Sequence, residues 1–125
     1  MANFRYYNRD EDNAHRDNCV TRAISLASGM TMGETRRKLR CVAILFDCAP
    51  RICMSCYKHL IENVLYYKPL NCDGMTVEEF ADLHPCGTYL VRMEQHISIV
   101  IDNTIYDIFD CRDRVLTNAW EVHKT

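Results

Sequence analysis

A cysteine at the start of a predicted helix is the residue whose position most directly suggests chemistry. Cys19 is followed by apolar residues at the spacing of one helix face: Val20, Ala23, Ile24 and Ala27. Asp17 or Asn18 can cap this helix, because a short polar side chain accepts a hydrogen bond from a free first-turn amide. A thiol at this position lies at the positive end of the helix dipole, which favours the nucleophilic thiolate. Cys19 is therefore the candidate nucleophile.

A cysteine nucleophile needs a base within hydrogen-bond reach and a third group that orients the base. His96 starts a predicted strand, and the strand Thr104 to Phe109 returns beside it after a turn at Asp102-Asn103. With that two-residue turn, Asp107 lies diagonal to His96 on the same face of the sheet. A three-residue turn would place Asp110 opposite His96 instead. We prefer Asp107, because the two-residue turn is the commoner hairpin, and keep Asp110 as the alternate.

Acyl transfer also needs fixed hydrogen-bond donors for the developing oxyanion. The backbone amide of Cys19 is one such donor, since it lies at the helix start. The side-chain amide of Asn13, six residues earlier, is the second candidate. Asn18 competes for this role, although its position suits the helix cap better. The other four histidines lack comparable partners in the sequence: His15, His59, His84 and His123.

Length and composition indicate a single globular domain over residues 1–125. The chain is 48% hydrophobic and 26% charged, and its net charge of −2 gives no electrostatic case for a nucleic-acid partner. No apolar run approaches the roughly 18 residues of a membrane span. Residues 1–18 lack the apolar core of a signal peptide. We therefore expect a cytoplasmic protein without a membrane partner, whose oligomeric state the sequence leaves open.

Eight cysteines are many for a chain of this length. Because no signal peptide is evident, we expect reduced thiols, most of which act as small buried hydrophobes. That interpretation applies to Cys41, Cys56, Cys72 and Cys86. The spacing Cys48-x4-Cys53-x2-Cys56 suggests zinc, but a structural site needs four ligands, and Cys41, His59 or Cys72 would have to complete it. Packing explains this cluster more simply, so we expect no metal and no cofactor.

The predicted elements are helices followed by a small antiparallel sheet, which is an α+β arrangement. Helices are predicted over Cys19 to Ser28, Gly33 to Phe46, Ile52 to Tyr66 and Val77 to Leu83. Strands are predicted over Thr88 to Met93, Ile97 to Ile101, Thr104 to Phe109 and Arg114 to Leu116, with Trp120 packed beneath the last. Residues 1–16 are interpreted as an N-terminal arm or a short edge strand.

A cysteine on the first helix, followed by a histidine and an aspartate on consecutive strands, resembles the papain-like cysteine peptidase superfamily. More narrowly, several segments are similar to small, uncharacterised papain-like proteins of phages and bacteria: Asp17 to Ile24, Met75 to Phe80, Gly87 to Val91 and His96 to Asp110. The resemblance covers about residues 13–120.

The resemblance implies a papain-like fold, with Cys19 as nucleophile, His96 as base and Asp107 or Asp110 as the orienting acid. Papain-like peptidases commonly carry a glutamine six residues before the nucleophile as an oxyanion donor, and this chain has Asn13 there. A phage origin would place the protein in the host cytoplasm.

These residues predict a thiol hydrolase that cleaves a peptide, an isopeptide or a related amide by acyl transfer. The substrate would then be a protein or a peptide, and the same residues would also support transfer of the acyl group to another amine. The alternative function is that of a binding protein. In that case the papain-like scaffold is catalytically idle and acts as a phage-encoded inhibitor or adaptor of a host factor.

Overall fold

The computed structural model describes residues 1–9, 19–47 and 54–123. Within these ranges the strands are β1 (Asn3–Tyr6), β2 (Lys68–Leu70), β3 (Thr88–Met93), β4 (His96–Ile101), β5 (Thr104–Asp107) and β6 (Leu116–Glu121). The helices are α1 (Cys19–Ser28), α2 (Met32–Phe46), α3 (Met54–His59) and α4 (Val77–Leu83), and a π-helical turn over Leu60–Val64 continues α3. The architecture is α+β, as the sequence predicts.

The six described strands form one mixed sheet in the order β1-β5-β4-β3-β6-β2. β1 runs parallel to β5, whereas the other neighbouring strands are antiparallel. The prediction of helices followed by an antiparallel sheet is therefore wrong in two respects. β1 precedes every described helix, at the sheet edge, where the interpretation of residues 1–16 allowed a short edge strand, and α4 lies between β2 and β3. β1 has only four residues, and although Phe4 and Tyr6 alternate with Asn3 and Arg5, this alternation indicates neither the partner strand nor its direction.

Two strands at the far edge of the sheet also differ from the prediction. No strand is predicted over Lys68–Leu70, but β2 pairs there with β6 as an edge strand. An edge tolerates proline, because the missing N–H can be the one that faces away from the neighbouring strand. The last strand is Leu116–Glu121 rather than Arg114 to Leu116. Trp120 belongs to this strand, opposite Leu90, instead of packing beneath it.

The helices follow local signals in the sequence. α1 and α4 have the predicted bounds, and α2 begins one residue before its predicted start. Capping boxes open α2 and α4, where the Thr31 and Thr76 side chains accept from the amides three residues later. The third helix changes to π-helical hydrogen bonding at Leu60, and its predicted start at Ile52 lies outside the described residues. No described helix is long and apolar enough to cross a membrane.

The hairpin between β4 and β5 has the predicted two-residue turn. Ile101 pairs with Thr104, which confirms Asp102 and Asn103 as the turn residues. Their φ angles of 47° and 63° both lie in the left-handed region, as a type I′ turn requires. The Asp102 carboxylate also accepts a hydrogen bond of 2.9 Å from the Gly87 amide. This turn fixes the register of β5, and with it the position of Asp107.

Alternation along the strands divides the buried side chains between two apolar clusters. The first cluster joins α1, α2 and α3 to the sheet through Leu90, Ile97 and Ile99. The second joins α4 to the sheet through Val91, Val100 and other strand residues. α1 is thus anchored by its apolar side against β4. This packing determines where the first residue of α1 lies.

Replacement of Ile99 by alanine should lower the free energy of unfolding by about 2–5 kcal/mol. Ile99 is 1% exposed in the cluster beneath α1, so its truncation leaves a cavity. Ile44 in α2 is 79% exposed and provides the matched control, whose change to alanine should stay within about 0.5 kcal/mol. Urea unfolding followed by circular dichroism measures both. Equal decreases in the free energy of unfolding for the two variants would contradict the packing of Ile99 beneath α1.

Candidate active site

The candidate site forms where α1 and β4 both begin. Cys19 is the first residue of α1 and is partly exposed, while the next residues of the helix are buried in the first apolar cluster. The N-terminal end of the helix carries a partial positive charge that acts on the thiol. The predicted helix caps, Asp17 and Asn18, lie outside the described residues. The helix therefore presents the Cys19 thiol to the start of β4.

His96 begins β4 directly after a turn in which Gln95 has a φ of 63°. Its ring is nearly buried, and Nε2 lies 2.6 Å from Oδ2 of Asp107. This separation is that of a strong, charge-assisted hydrogen bond. The His96 side chain also interacts with the Cys19 thiol and lowers its pKa. Since Nε2 is engaged by Asp107, Nδ1 is the ring nitrogen left for the thiol.

The Asp107 carboxylate is held on both of its oxygen atoms. Oδ2 faces His96, and Oδ1 accepts a 2.7 Å hydrogen bond from the Ile108 amide. Nη2 of Arg22, one helical turn after Cys19, lies 3.9 Å from Oδ1. The Cys111 thiol donates weakly to Oδ2 across 3.9 Å. Every one of these contacts favours the ionised carboxylate over its protonated form.

Asp110, the alternate acid, points elsewhere. Its carboxylate pairs with the Arg112 guanidinium, whose Nη2 and Nε lie 2.7 and 2.9 Å from the two Asp110 oxygens. Hydrogen bonds from Arg112 hold the pKa of Asp110 below its usual value. This pairing directs the Asp110 carboxylate to a surface arginine. The structure thus brings Asp107, and not Asp110, to the His96 ring.

The charges of Cys19 and His96 stabilise one another. Burial raises the pKa of Cys19, but hydrogen bonds from His96 and the Ile97 backbone and the nearby positive charges outweigh burial, so this pKa lies below its usual value. Burial lowers the pKa of His96, but hydrogen bonds to Asp107 and Cys19 outweigh it and raise this pKa to about 9. A thiolate beside an imidazolium is therefore favoured near neutral pH.

Asp107 completes this set of charges. Burial raises the pKa of its carboxyl. The hydrogen bond to His96 and the imidazolium charge lower this pKa by more than burial raises it, so the pKa of Asp107 lies below its usual value. The Phe109 ring lies 4.6 Å from the His96 ring, centroid to centroid, and Ile105 is fully buried. The Phe109 ring, which is itself 41% exposed, covers one side of the imidazole and partly shields the imidazole–carboxylate interaction from water.

His96, Asp107 and Cys111 each bring one potential metal ligand within a 4.8 Å group. The 2.6 Å between Nε2 and Oδ2 is shorter than the roughly 3.4 Å that separates two ligand atoms on a tetrahedral zinc ion. Burial and the Asp107 charge raise the pKa of Cys111 to about 12, whereas metal ligation needs a thiolate. Hydrogen bonding therefore explains this group better than a metal ion does.

The cysteines only partly follow their predicted roles. Cys72 is buried, as expected, whereas Cys41 and Cys86 are exposed, because they lie on the outer side of α2 and in the loop before β3. Cys56 is buried but disulfide-bonded, so the expectation of reduced thiols is wrong at this position. A disulfide sulfur does not act as a zinc thiolate. Cys48 and Cys53 of the candidate zinc cluster lie outside the described residues.

The remaining predicted residues are only partly placed. Asn13, Asn18 and His15 lie outside the described ranges, so of the candidate oxyanion donors only the Cys19 amide is placed. His59 and His84 take part in contacts of their own, with the Asn63 amide at 3.1 Å and the Phe80 carbonyl at 2.9 Å. His123 lies beside the ring of Tyr67.

Two polar residues near the site were missed by the sequence reasoning. Arg22 follows Cys19 by three positions, which is the spacing of one helical face and the signal that could have identified it. Ser98 shares the strand face of His96, and its buried hydroxyl interacts with the Asp107 carboxylate and the Cys111 thiol, lowering the pKa of each. Both line a cavity of about 10 Å³ beside Cys19.

No family model, curated protein or solved structure matches this chain. The chemistry of the site is therefore inferred from its own residues. A partly exposed thiol, a histidine that lowers its pKa and a buried carboxylate hydrogen-bonded to that histidine are suited to nucleophilic attack on an electrophilic carbon.

Iodoacetamide at pH 7 should alkylate Cys19 at least about tenfold faster than the exposed residues Cys41 and Cys86, because only Cys19 has an imidazolium partner among the described cysteines. Peptide mass spectrometry after limited reaction measures the rates. Cys111 should react slowest, since it is buried and its pKa is raised to about 12.

The His96→Ala variant is the control for this reactivity, and in it the preference for Cys19 should disappear. Faster labelling of Cys41, Cys53 or Cys111 than of Cys19 in the wild-type protein would contradict the assignment of the nucleophile.

Proposed function

We propose that this chain is a papain-like cysteine hydrolase, a peptidase, isopeptidase or amidase, that acts by acyl transfer. Cys19 is the nucleophile, His96 the base and Asp107 the orienting acid. The single observation that carries the proposal is the series of three interacting groups in which the Asp107 carboxylate is hydrogen-bonded to the His96 ring, and the His96 ring interacts with the Cys19 thiol and lowers its pKa. That series joins three groups from three different elements, α1, β4 and β5.

The first half-reaction forms an acyl-enzyme. The Cys19 thiolate attacks the substrate carbonyl carbon, and the negative charge moves to the carbonyl oxygen. The Cys19 backbone amide at the start of α1 can donate to that oxygen, because first-turn amides lack an acceptor within the helix. His96 then gives its proton to the leaving amine as the carbon–nitrogen bond breaks. The thioester on Cys19 is the product of this step.

The second half-reaction releases the acyl group. His96, now neutral, takes a proton from a water molecule, and the resulting hydroxide attacks the thioester carbon. The thiolate leaves, and the carboxylic acid product departs. An amine in place of water would give the transferase reaction, which the same groups support equally well.

Asp107 determines which ring nitrogen of His96 accepts and donates the proton in these steps. Its bond to Nε2 keeps a proton there and leaves Nδ1 to exchange a proton with Cys19 and the leaving group. The carboxylate also stabilises the imidazolium that forms in each half-reaction. Since the pKa of His96 is raised to about 9, the ring can still act as an acid at neutral pH, and hydrolysis should decline as the pH rises through that value.

The order of the three residues along the chain supports the papain-like part of the proposal. A cysteine at the start of a helix that packs on the sheet, followed by a histidine and an acid on adjacent strands, matches the pattern in the sequence that resembles this superfamily. The α+β architecture is compatible with it. A protein or peptide substrate follows from the amide chemistry.

One observation favours the second candidate, an idle scaffold that binds a host factor. The cavity beside Cys19 has a volume of only about 10 Å³, which is room for about one water molecule. An acyl group must therefore approach the thiol from the exposed side of Cys19. If no electrophilic substrate mimic reacts with Cys19, the binding function is the better interpretation of this site.

A peptidyl vinyl sulfone, an electrophile that cysteine peptidases capture covalently, tests the proposal directly. Wild-type protein should be labelled on Cys19, and Cys19→Ala should not be labelled at all. Asp107→Ala should slow labelling at least about tenfold, since a triad acid contributes strongly but less than the nucleophile.

Asp110→Ala is the matched control in the Asp107 experiment, and it should label within about twofold of wild type because Asp110 pairs with Arg112 at the surface. Circular dichroism verifies that each variant is folded. Equal slowing by the two aspartate variants, or no labelling of folded wild-type protein, would contradict the proposed function.

A further inference from the structure

Arg22 is a charged residue buried beside the candidate site. It is 8% exposed and lies one turn after Cys19 in α1. Burial of a guanidinium is unfavourable unless an opposite charge lies nearby. Asp107 provides that charge, with Oδ1 at 3.9 Å from Nη2 of Arg22. The Asp107 carboxylate therefore offsets part of the cost of burying the Arg22 guanidinium on the inner side of α1.

The Asp107 carboxylate lies between two cationic groups. His96 binds Oδ2 at 2.6 Å, and Arg22 approaches Oδ1 from the side of α1. A carboxylate attracted at both oxygens is held ionised and is restricted in rotation about its last side-chain bond. Arg22 therefore acts on the group that orients His96.

We propose that Arg22 is a positioning residue, whose guanidinium keeps Asp107 ionised and turned toward His96 and so sustains the thiolate of Cys19. This inference rests on the proposed function, because it assigns Arg22 to the same site. It adds a fourth charged group to the three groups of the hydrolase proposal.

The balance of charge explains why a fourth group is needed. The thiolate of Cys19 and the carboxylate of Asp107 are negative, whereas the imidazolium of His96 and the guanidinium of Arg22 are positive. Within these four groups, of which the thiol is partly exposed and the other three are buried, the charges balance. Without Arg22 the remaining three groups carry one excess negative charge in a largely buried site, which favours uptake of a proton. In agreement with this, the charge of Arg22 helps to lower the pKa of Cys19.

Arg22 acts through its neighbours rather than on the substrate. The cavity that it lines holds about one water molecule, so a substrate group has no room to reach the guanidinium. Other titratable groups around this cavity are Tyr7, Arg9 and Tyr106. Arg9 is bound to the Ser25 hydroxyl at 2.5 Å and to the Met30 carbonyl at 3.2 Å. Among the described residues around the cavity, Arg22 is the arginine paired with Asp107.

The test is the pH profile of Cys19 alkylation by iodoacetamide, which needs no substrate. Arg22→Gln should raise the midpoint of the profile by about one pH unit, and Arg22→Lys, which keeps the charge, should restore most of that shift. Arg112→Gln removes an exposed arginine–aspartate pair and is the matched control, expected to leave the midpoint unchanged. A folded Arg22→Gln variant with the wild-type midpoint would overturn the inference.

The two proposals fail in different ways. If the pH profile of Cys19 alkylation in the wild-type protein has the midpoint of an ordinary thiol, the proposed function itself is contradicted. A lowered wild-type midpoint that Arg22→Gln does not change would contradict the role of Arg22 alone. If Arg22→Gln does not fold, Arg22→Met decides, because its unbranched side chain keeps much of the packing volume without the charge. The midpoint of Cys19 alkylation should rise by about the same amount in this variant, and a folded Arg22→Met variant with the wild-type midpoint would overturn the inference.

Discussion

The hydrogen bond between His96 and Asp107 is the interaction on which the rest of the site depends. Both side chains are almost fully buried, and each would be costly to bury without the other. Their 2.6 Å contact fixes the orientation of the imidazole ring and leaves one ring nitrogen for Cys19. The pKa values of Cys19 and His96 move in opposite directions because this bond holds a positive charge beside the thiol.

Several features of the fold outside the site hold His96, Asp107 and Cys19 in their relative positions. The type I′ turn at Asp102 and Asn103 sets the register that brings Asp107 beside β4. The apolar cluster beneath α1 fixes the start of that helix and hence the position of Cys19. Arg22 then joins the helix to the carboxylate. The site is therefore assembled by one turn, one packed helix face and one buried ion pair.

Features governed by local rules could be predicted from the sequence. The bounds of α1, the capping box of Thr76 and the hairpin turn follow from neighbouring residues, and strand parity then distinguishes Asp107 from Asp110. Features that depend on contacts between residues far apart in the sequence could not be predicted. The parallel pairing of β1 and the edge position of β2 depend on the assembled sheet, since segments of four and three residues do not indicate which strand they will pair with. The contact of Arg22 with Asp107 likewise arises only when α1 packs on the sheet.

The ionisation of His96 tests the central claim most directly. Its ring protons can be followed by NMR as the pH is raised, in the wild-type protein and in Cys19→Ala. In the wild-type protein His96 should titrate at about 9, and loss of the thiolate should lower that pKa because a stabilising negative charge is gone. A wild-type His96 that titrates near its ordinary value of 6.5, and does so unchanged in Cys19→Ala, would contradict the account.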